Sequence, residues 1–121
     1  MGRGSFRIKM NGQKKLALKF RNMTAETNRK VKESTRKHTY MMEREAKIKA
    51  PYDTGHLKRS IHSSFHNGGL TGIVTVGAFY GVYLEFGTRY MRPQPFLFPS
   101  FLIAKAAYLR DLESIIRRID D

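Results

Sequence analysis

Cysteine is absent from the 121-residue chain. Its absence excludes disulfides, zinc–thiolate sites and thiol nucleophiles, and is compatible with an intracellular or virion protein. No apolar run approaches the ~20 residues that cross a membrane as a helix. The N-terminus is basic but has no apolar signal-peptide core. Repeats and low-complexity segments are missing too. Carboxylates are scarce, with 10 Asp and Glu against 23 Lys and Arg and a net charge of +13. The imbalance sits in one half. Residues 1–49 hold 15 basic and 4 acidic residues, a difference of +11, whereas residues 50–121 hold 8 and 6, a difference of +2. So basic a half points to an acidic partner, either nucleic acid or an acidic protein surface. A solvated cationic helix is the plainer alternative. No aromatic residue interleaves with the cations between Arg21 and Lys37, so base stacking is not signalled.

Catalytic patterns are lacking as well. The four histidines are His38, His56, His62 and His66. The last two fall on one strand face about 13 Å apart, too far to share an ion. No nucleophile elbow is present. Gly68, Gly69 and Gly72 sit in a hairpin and do not open a helix after a strand, which argues against a phosphate cradle. Nothing in the sequence requires Asp53 and Glu85 to be close enough for acid–base work. The expectation is a non-enzymatic protein with no catalytic, cofactor-binding or metal-binding residues.

What is present is well patterned. Residues 5–10, SFRIKM, alternate as a half-buried strand with Phe6, Ile8 and Met10 on one face, and Asn11–Gln13 turn the chain. Residues 14–49 look helical with a break near Asn22. Thr24 caps the better part, 25–49, Glu26 suits its positive end, and Pro51 stops it. Its stripe is thin: Val31, Thr35, His38, Met42 and Ala46. Residues 51–60 read as a loop with Asp53, Thr54 and Gly55 as turn chemistry. Residues 60–66 form a strand with Ile61, Ser63 and Phe65 on one face; a turn at 67–70 and a β-branched return strand at 71–77 follow. Tyr80–Phe86 reads as a short helix stopped by Gly87 in a left-handed cap, with a strand as the alternative. Pro93, Pro95 and Pro99 predict an extended arm. Ser100 then caps an amphipathic helix to about Ile119, with Phe101, Tyr108, Leu112, Ile115 and Ile119 as its stripe, widened by Leu102, Leu109 and Ile116. The fold class is α+β: a long basic N-terminal helix, a small antiparallel sheet of about three strands or more, and an amphipathic C-terminal helix, in one domain spanning 1–121.

Three groups of residues stand out as sites. Glu85, flanked by Leu84 and Phe86, reads as a structural clamp, because a buried carboxylate needs partners. Arg59, Arg89, Arg92 or the backbone N–H groups of the following turn are candidates. Gly87, Thr54 and Gly55 belong with it. Pro95, Phe96, Leu97 and Phe98 read as a stiff docking arm, against the alternative that they pack on their own domain. Lys14, Lys15, Lys19, Arg21, Arg29, Lys30, Arg36 and Lys37 are the candidate polyanion contacts.

Two stretches also carry a resemblance: APYDTGHLKRSI at 50–61 and YGVYLEFGTRYMRPQPFLFPSF at 80–101. They resemble the minor tail-component, or head–tail joining, family of long-tailed bacteriophages with non-contractile tails and their prophages. The shared residues are Pro51, Thr54, Gly55, Leu57, Lys58, Ser60, Ile61, Tyr80, Glu85, Gly87, Thr88, Pro95, Phe96, Leu97 and Pro99. Lys58 stands where arginine is common in that family. The resemblance implies a virion assembly protein that completes the head-proximal end of the tail. It also implies self-association into a ring, hexameric by the symmetry of tails, with neighbouring connector or tail proteins as further partners. Its location would be the head–tail junction of the virion, after assembly in the host cytoplasm. Non-specific DNA contact is the overlapping alternative; no membrane partner and no cofactor are implied.

Overall fold

The computed structural model describes residues 5–11, 24–51 and 55–120. Strand β1 (Phe6–Asn11) is followed by helix α1 (Ala25–Lys49), the short helix α2 (His56–Arg59), strand β2 (Ile61–His66), a 3₁₀ turn at Asn67–Gly69 and strand β3 (Thr71–Val76). Helices α3 (Gly81–Phe86) and α4 (Leu97–Asp120) complete the chain. This is the expected α+β arrangement. The sheet is antiparallel with order β1-β3-β2. Phe6 and Ile61 both lie opposite Val76, and Ile8 and Ser63 both lie opposite Val74.

The registers put Phe6, Ile8, Met10, Val74, Val76, Ile61 and Phe65 on one face, because side chains alternate along each strand. Helices α1 and α4 cover that face, and their mutual contact is the largest between elements. Val31, Met42, Val74, Leu57, Ile61, Phe96, Leu97 and Leu112 are fully or almost fully buried there. Each large apolar side chain contributes about 1.5–3 kcal/mol when removed from water. Gly72 is required where α1 crosses β3, since a Cβ there would overlap the Thr39 side chain.

Helix α1 is capped as the sequence predicts: the Thr24 hydroxyl accepts from the Thr27 N–H at 3.1 Å. All five stripe residues of α1 are buried, and Ser34 and Thr39 join them. The Ser34 hydroxyl donates to Asp111 Oδ2 at 2.5 Å, and the Thr35 and Tyr108 hydroxyls lie 2.7 Å apart, so polar contacts stitch α1 to α4.

Three expectations need correction. The 51–60 loop contains helix α2, begun by Gly55 at φ 82°. The proline arm is shorter than expected: α4 begins at Leu97, not after Ser100, and Pro99 sits in its first turn. Proline is tolerated there because that position has no helical acceptor for an N–H. The α4 stripe is also narrower, since Leu102 faces solvent, while Ala104, Tyr108, Leu112 and Ile115 face the core. The predicted helical segment at 14–23, Thr54 and the Ile119 side chain lie outside the described residues.

Candidate assembly site

Helix α3 is only six residues long, so it must be held by its surroundings. Gly81 and Leu84 face inward, as does Glu85, which is 5% exposed. The Gly87 N–H closes the helix on the Tyr83 carbonyl at 2.8 Å. Gly87 has φ 77° and ψ 176°, not the left-handed helical cap expected. That backbone region is essentially restricted to glycine. A Cβ at this position would also lie 2.8 Å from the Pro93 ring. The chain then makes a tight Thr88–Met91 turn and returns so that the Gln94 N–H donates to the Leu84 carbonyl at 2.7 Å.

This return delivers the start of α4 to Glu85. The N–H groups of Phe96 and Leu97 donate to Oε1 at 3.2 and 2.8 Å, and that of Phe98 donates to Oε2 at 3.0 Å. The first four backbone N–H groups of a helix have no partner inside it. Here three go to one carboxylate, and the fourth position is Pro99, which has none. The negative charge also sits at the positive end of the α4 dipole. Glu85 is therefore the cap of α4, supplied from α3. The arginines considered as partners form no ion pair with it, and the N–H groups come from 11 to 13 residues onward, not from the next turn.

The arm residues divide. Phe96 and Leu97 are 0% exposed and belong to the core; a docking role for either is corrected by that burial. The reason is the early helix start, which turns both inward. Phe98, 51% exposed, points out from the second position of α4. Phe98 packs on Phe101, ring centroids 6.1 Å apart, and other large apolar side chains of residues 79–103 are exposed too. Phe79, Tyr83, Phe86, Tyr90, Leu102 and Ile103 are all large and exposed. Tyr83 and Phe86 are exposed on α3, three residues apart, and Phe79 lies in the turn before it. That spacing was readable in the sequence but passes unnoticed in so short a helix. Phe86 rests on Phe6 of β1, ring centroids 6.2 Å apart.

Of the candidate polyanion residues, Arg29, Lys30, Arg36 and Lys37 lie within the described residues, all on α1. Arg29 is held by Glu26 and Glu33. Lys30 and Lys37 line a cleft of about 250 Å³ between α1 and α4, with Arg118 on its rim and Asp111 in it. Arg36 is exposed outside that cleft. Lys14, Lys15, Lys19 and Arg21 lie outside the described residues. Ser34, His38 and Asp111 come together: His38 Nδ1 lies 2.8 Å from the Ser34 carbonyl oxygen, to which it donates, and 3.2 Å from the Ser34 hydroxyl, which itself donates to Asp111. No group of three or more metal-ligating side chains occurs among the described residues, and no described helix is long and apolar enough to cross a membrane.

The fold and site thus define a small α+β domain with an exposed aromatic surface beside a buried, backbone-bound carboxylate. The chain belongs to the family described as "Bacteriophage HK97-gp10, putative tail-component", which it matches over residues 14–87, more than half its length. No curated protein and no solved structure gave a match.

Proposed function

We propose that this protein is a structural, non-catalytic component of the phage head–tail junction, completing the head-proximal end of the tail through contacts with copies of itself in a ring and with neighbouring virion proteins. Membership of the tail-component family supports a structural phage role. The observation that carries the finer reading is the rigid apolar surface of residues 79–103. Seven of the large hydrophobic side chains in this span are exposed, and Glu85 fixes the backbone beneath them. A preformed aromatic surface loses little conformational entropy on docking. Deleting the gene from its phage or prophage should leave filled heads and finished tails unjoined by electron microscopy, with joining restored by the gene in trans. Normal virions from the deletion would overturn the reading.

A second reading has one observation in its favour. Lys30, Lys32, Arg36, Lys37 and Arg44 on α1 have no carboxylate within ion-pair distance among the described residues. Non-specific contact with DNA passing through the junction would use them.

A further inference from the structure

Every carboxylate of α1 is engaged within the chain. Glu26 and Glu33 hold Arg29, Glu43 accepts from Lys47 at 2.9 Å and from Ser63 at 2.6 Å, and Glu45 accepts from Lys49 at 2.9 Å. The cations left over fall on different faces. Lys30, Lys37 and Arg44 follow one another at intervals of seven residues, close to two helical turns, so they share one face about 10.5 Å apart. Arg36 lies about 100° around the helix from Lys37. The Lys32 stem covers the Asn67–Gly69 turn, its Cγ 3.5 Å from where a Gly69 Cβ would stand.

The line of three runs along a groove. Lys30 and Lys37 border the 250 Å³ cleft with Arg118 of α4. Lys37 also borders an adjoining depression of about 380 Å³ with Tyr40, Met41 and Arg44. Four cations therefore line about 21 Å of surface. None has a carboxylate within ion-pair distance among the described residues. The carboxylate nearest them on α4, Asp111, is taken by the Ser34 hydroxyl. Cations gathered in this way repel one another, and an anion laid along them removes that cost. So long a line suits an extended polyanion better than a small ion. Apart from Tyr40, Met41 and Ile115, the lining is charged or hydroxyl-bearing. The centre of a protein–protein interface is apolar and poor in charge, whereas a DNA-binding surface is polar and strongly positive. Phosphates are met by Lys, Arg and hydroxyl side chains, and Tyr40, 51% exposed, supplies a hydroxyl between Lys37 and Arg44. We propose that the α1–α4 groove holds the phosphate backbone of duplex DNA through Lys30, Lys37, Arg44 and Arg118, without reading its sequence. The proposal rests on the DNA reading of α1 and narrows it to one face.

The test is fluorescence anisotropy of a labelled random duplex with the purified full-length chain, over a salt series. Each phosphate contact contributes about 0.9 to the slope of log affinity against log salt. Replacing all four cations by Gln should lower that slope by about 3 to 4, whereas Arg36→Gln should leave it unchanged. Should the fourfold variant lose its circular dichroism signal, Lys37→Gln with Arg44→Gln, both exposed, replaces it, with an expected drop of about 2. A slope unchanged in the groove variant, or lowered as much by Arg36→Gln as by Lys37→Gln alone, would overturn the groove yet leave DNA contact by α1 standing. Duplex binding undetectable for the wild-type chain at the lowest salt would overturn both and assign these cations to an acidic protein surface. The junction reading fails separately, by normal virions from the gene deletion.

Discussion

Glu85 does the work that a Ser, Thr or Asp usually does from the position before a helix, but from 11 residues upstream. The consequence is that α3 and α4 cannot come apart without exposing three unpaired N–H groups. Glu85→Gln keeps one acceptor for Phe96 and Leu97 but turns an amide donor toward the Phe98 N–H. The expected loss is on the order of 1–3 kcal/mol, read as a lower urea midpoint with unchanged slope. An unchanged midpoint would show that the three bonds add nothing net. Gly87→Ala should cost about as much or more, because φ 77° with ψ 176° is strained for any L side chain and the new methyl meets Pro93. At the arm, Phe96→Ala should cost about 3–5 kcal/mol as a core truncation. Phe98→Ala should leave thermal stability within about 0.5 kcal/mol, since half of that side chain is already in water. Equal melting temperatures for the two alanine variants would contradict the division of the arm.

Helix α1 is the element on which pH acts. Arg29 holds Glu26 below the ordinary carboxylate value of 4.5, and Lys49 does the same for Glu45. Glu43 is pushed up by burial, but the Ser63 hydroxyl and Lys47 together outweigh this and leave it lowered. A carboxyl with a depressed folded value binds fewer protons folded than unfolded. Its contribution is therefore full above 4.5 and disappears as pH falls through the depressed value. Melting temperature should hold between about pH 7 and 5 and fall below about 4.5. Glu43→Gln should make that fall shallower; an identical acid profile in the variant would remove Glu43 from the account. The elements themselves were legible because periodicity was clean: the α1 stripe of Val31, Thr35, His38, Met42 and Ala46 and the alternation of Phe6, Ile8 and Met10 both reached the core as read. The start of α4 was not. Pro99 and two further prolines suggest extension when read locally, and only Glu85, distant in sequence, supplies the donors' partner that lets the helix begin two residues before proline. The docking arm was misplaced for the same reason, since a helical start turns Phe96 and Leu97 inward where an extended one alternates them. Glu85 as a structural carboxylate was readable from Leu84 and Phe86 beside it; its partners were not, because nothing local marks a return of the chain.

At the scale of the molecule the net charge of +13 sets two of the proposed contacts against each other. Copies of so basic a chain repel at long range, and salt screens that repulsion over a Debye length of about 10 Å at 0.1 M. Apolar contacts made through the exposed aromatic surface would be short-range and survive it. Self-association should therefore strengthen as salt is raised. Contact with DNA has the opposite sign, because each neutralised phosphate releases a counterion and affinity falls steeply with salt. A protein engaging six or more phosphates should lose on the order of a thousandfold in affinity between about 50 and 200 mM salt. Sedimentation of the chain alone and fluorescence anisotropy of a labelled random duplex, run over the same salt series, separate the two. Association that rises while duplex binding falls assigns the apolar surfaces to neighbouring copies and the α1 cations to phosphate. Duplex binding undetectable even at the lowest salt removes DNA as a partner and leaves an acidic protein surface for Lys30, Arg36 and Lys37. Association that weakens with salt would mean that charge, not the aromatic surface, holds the copies together, and would overturn the apolar basis of the ring.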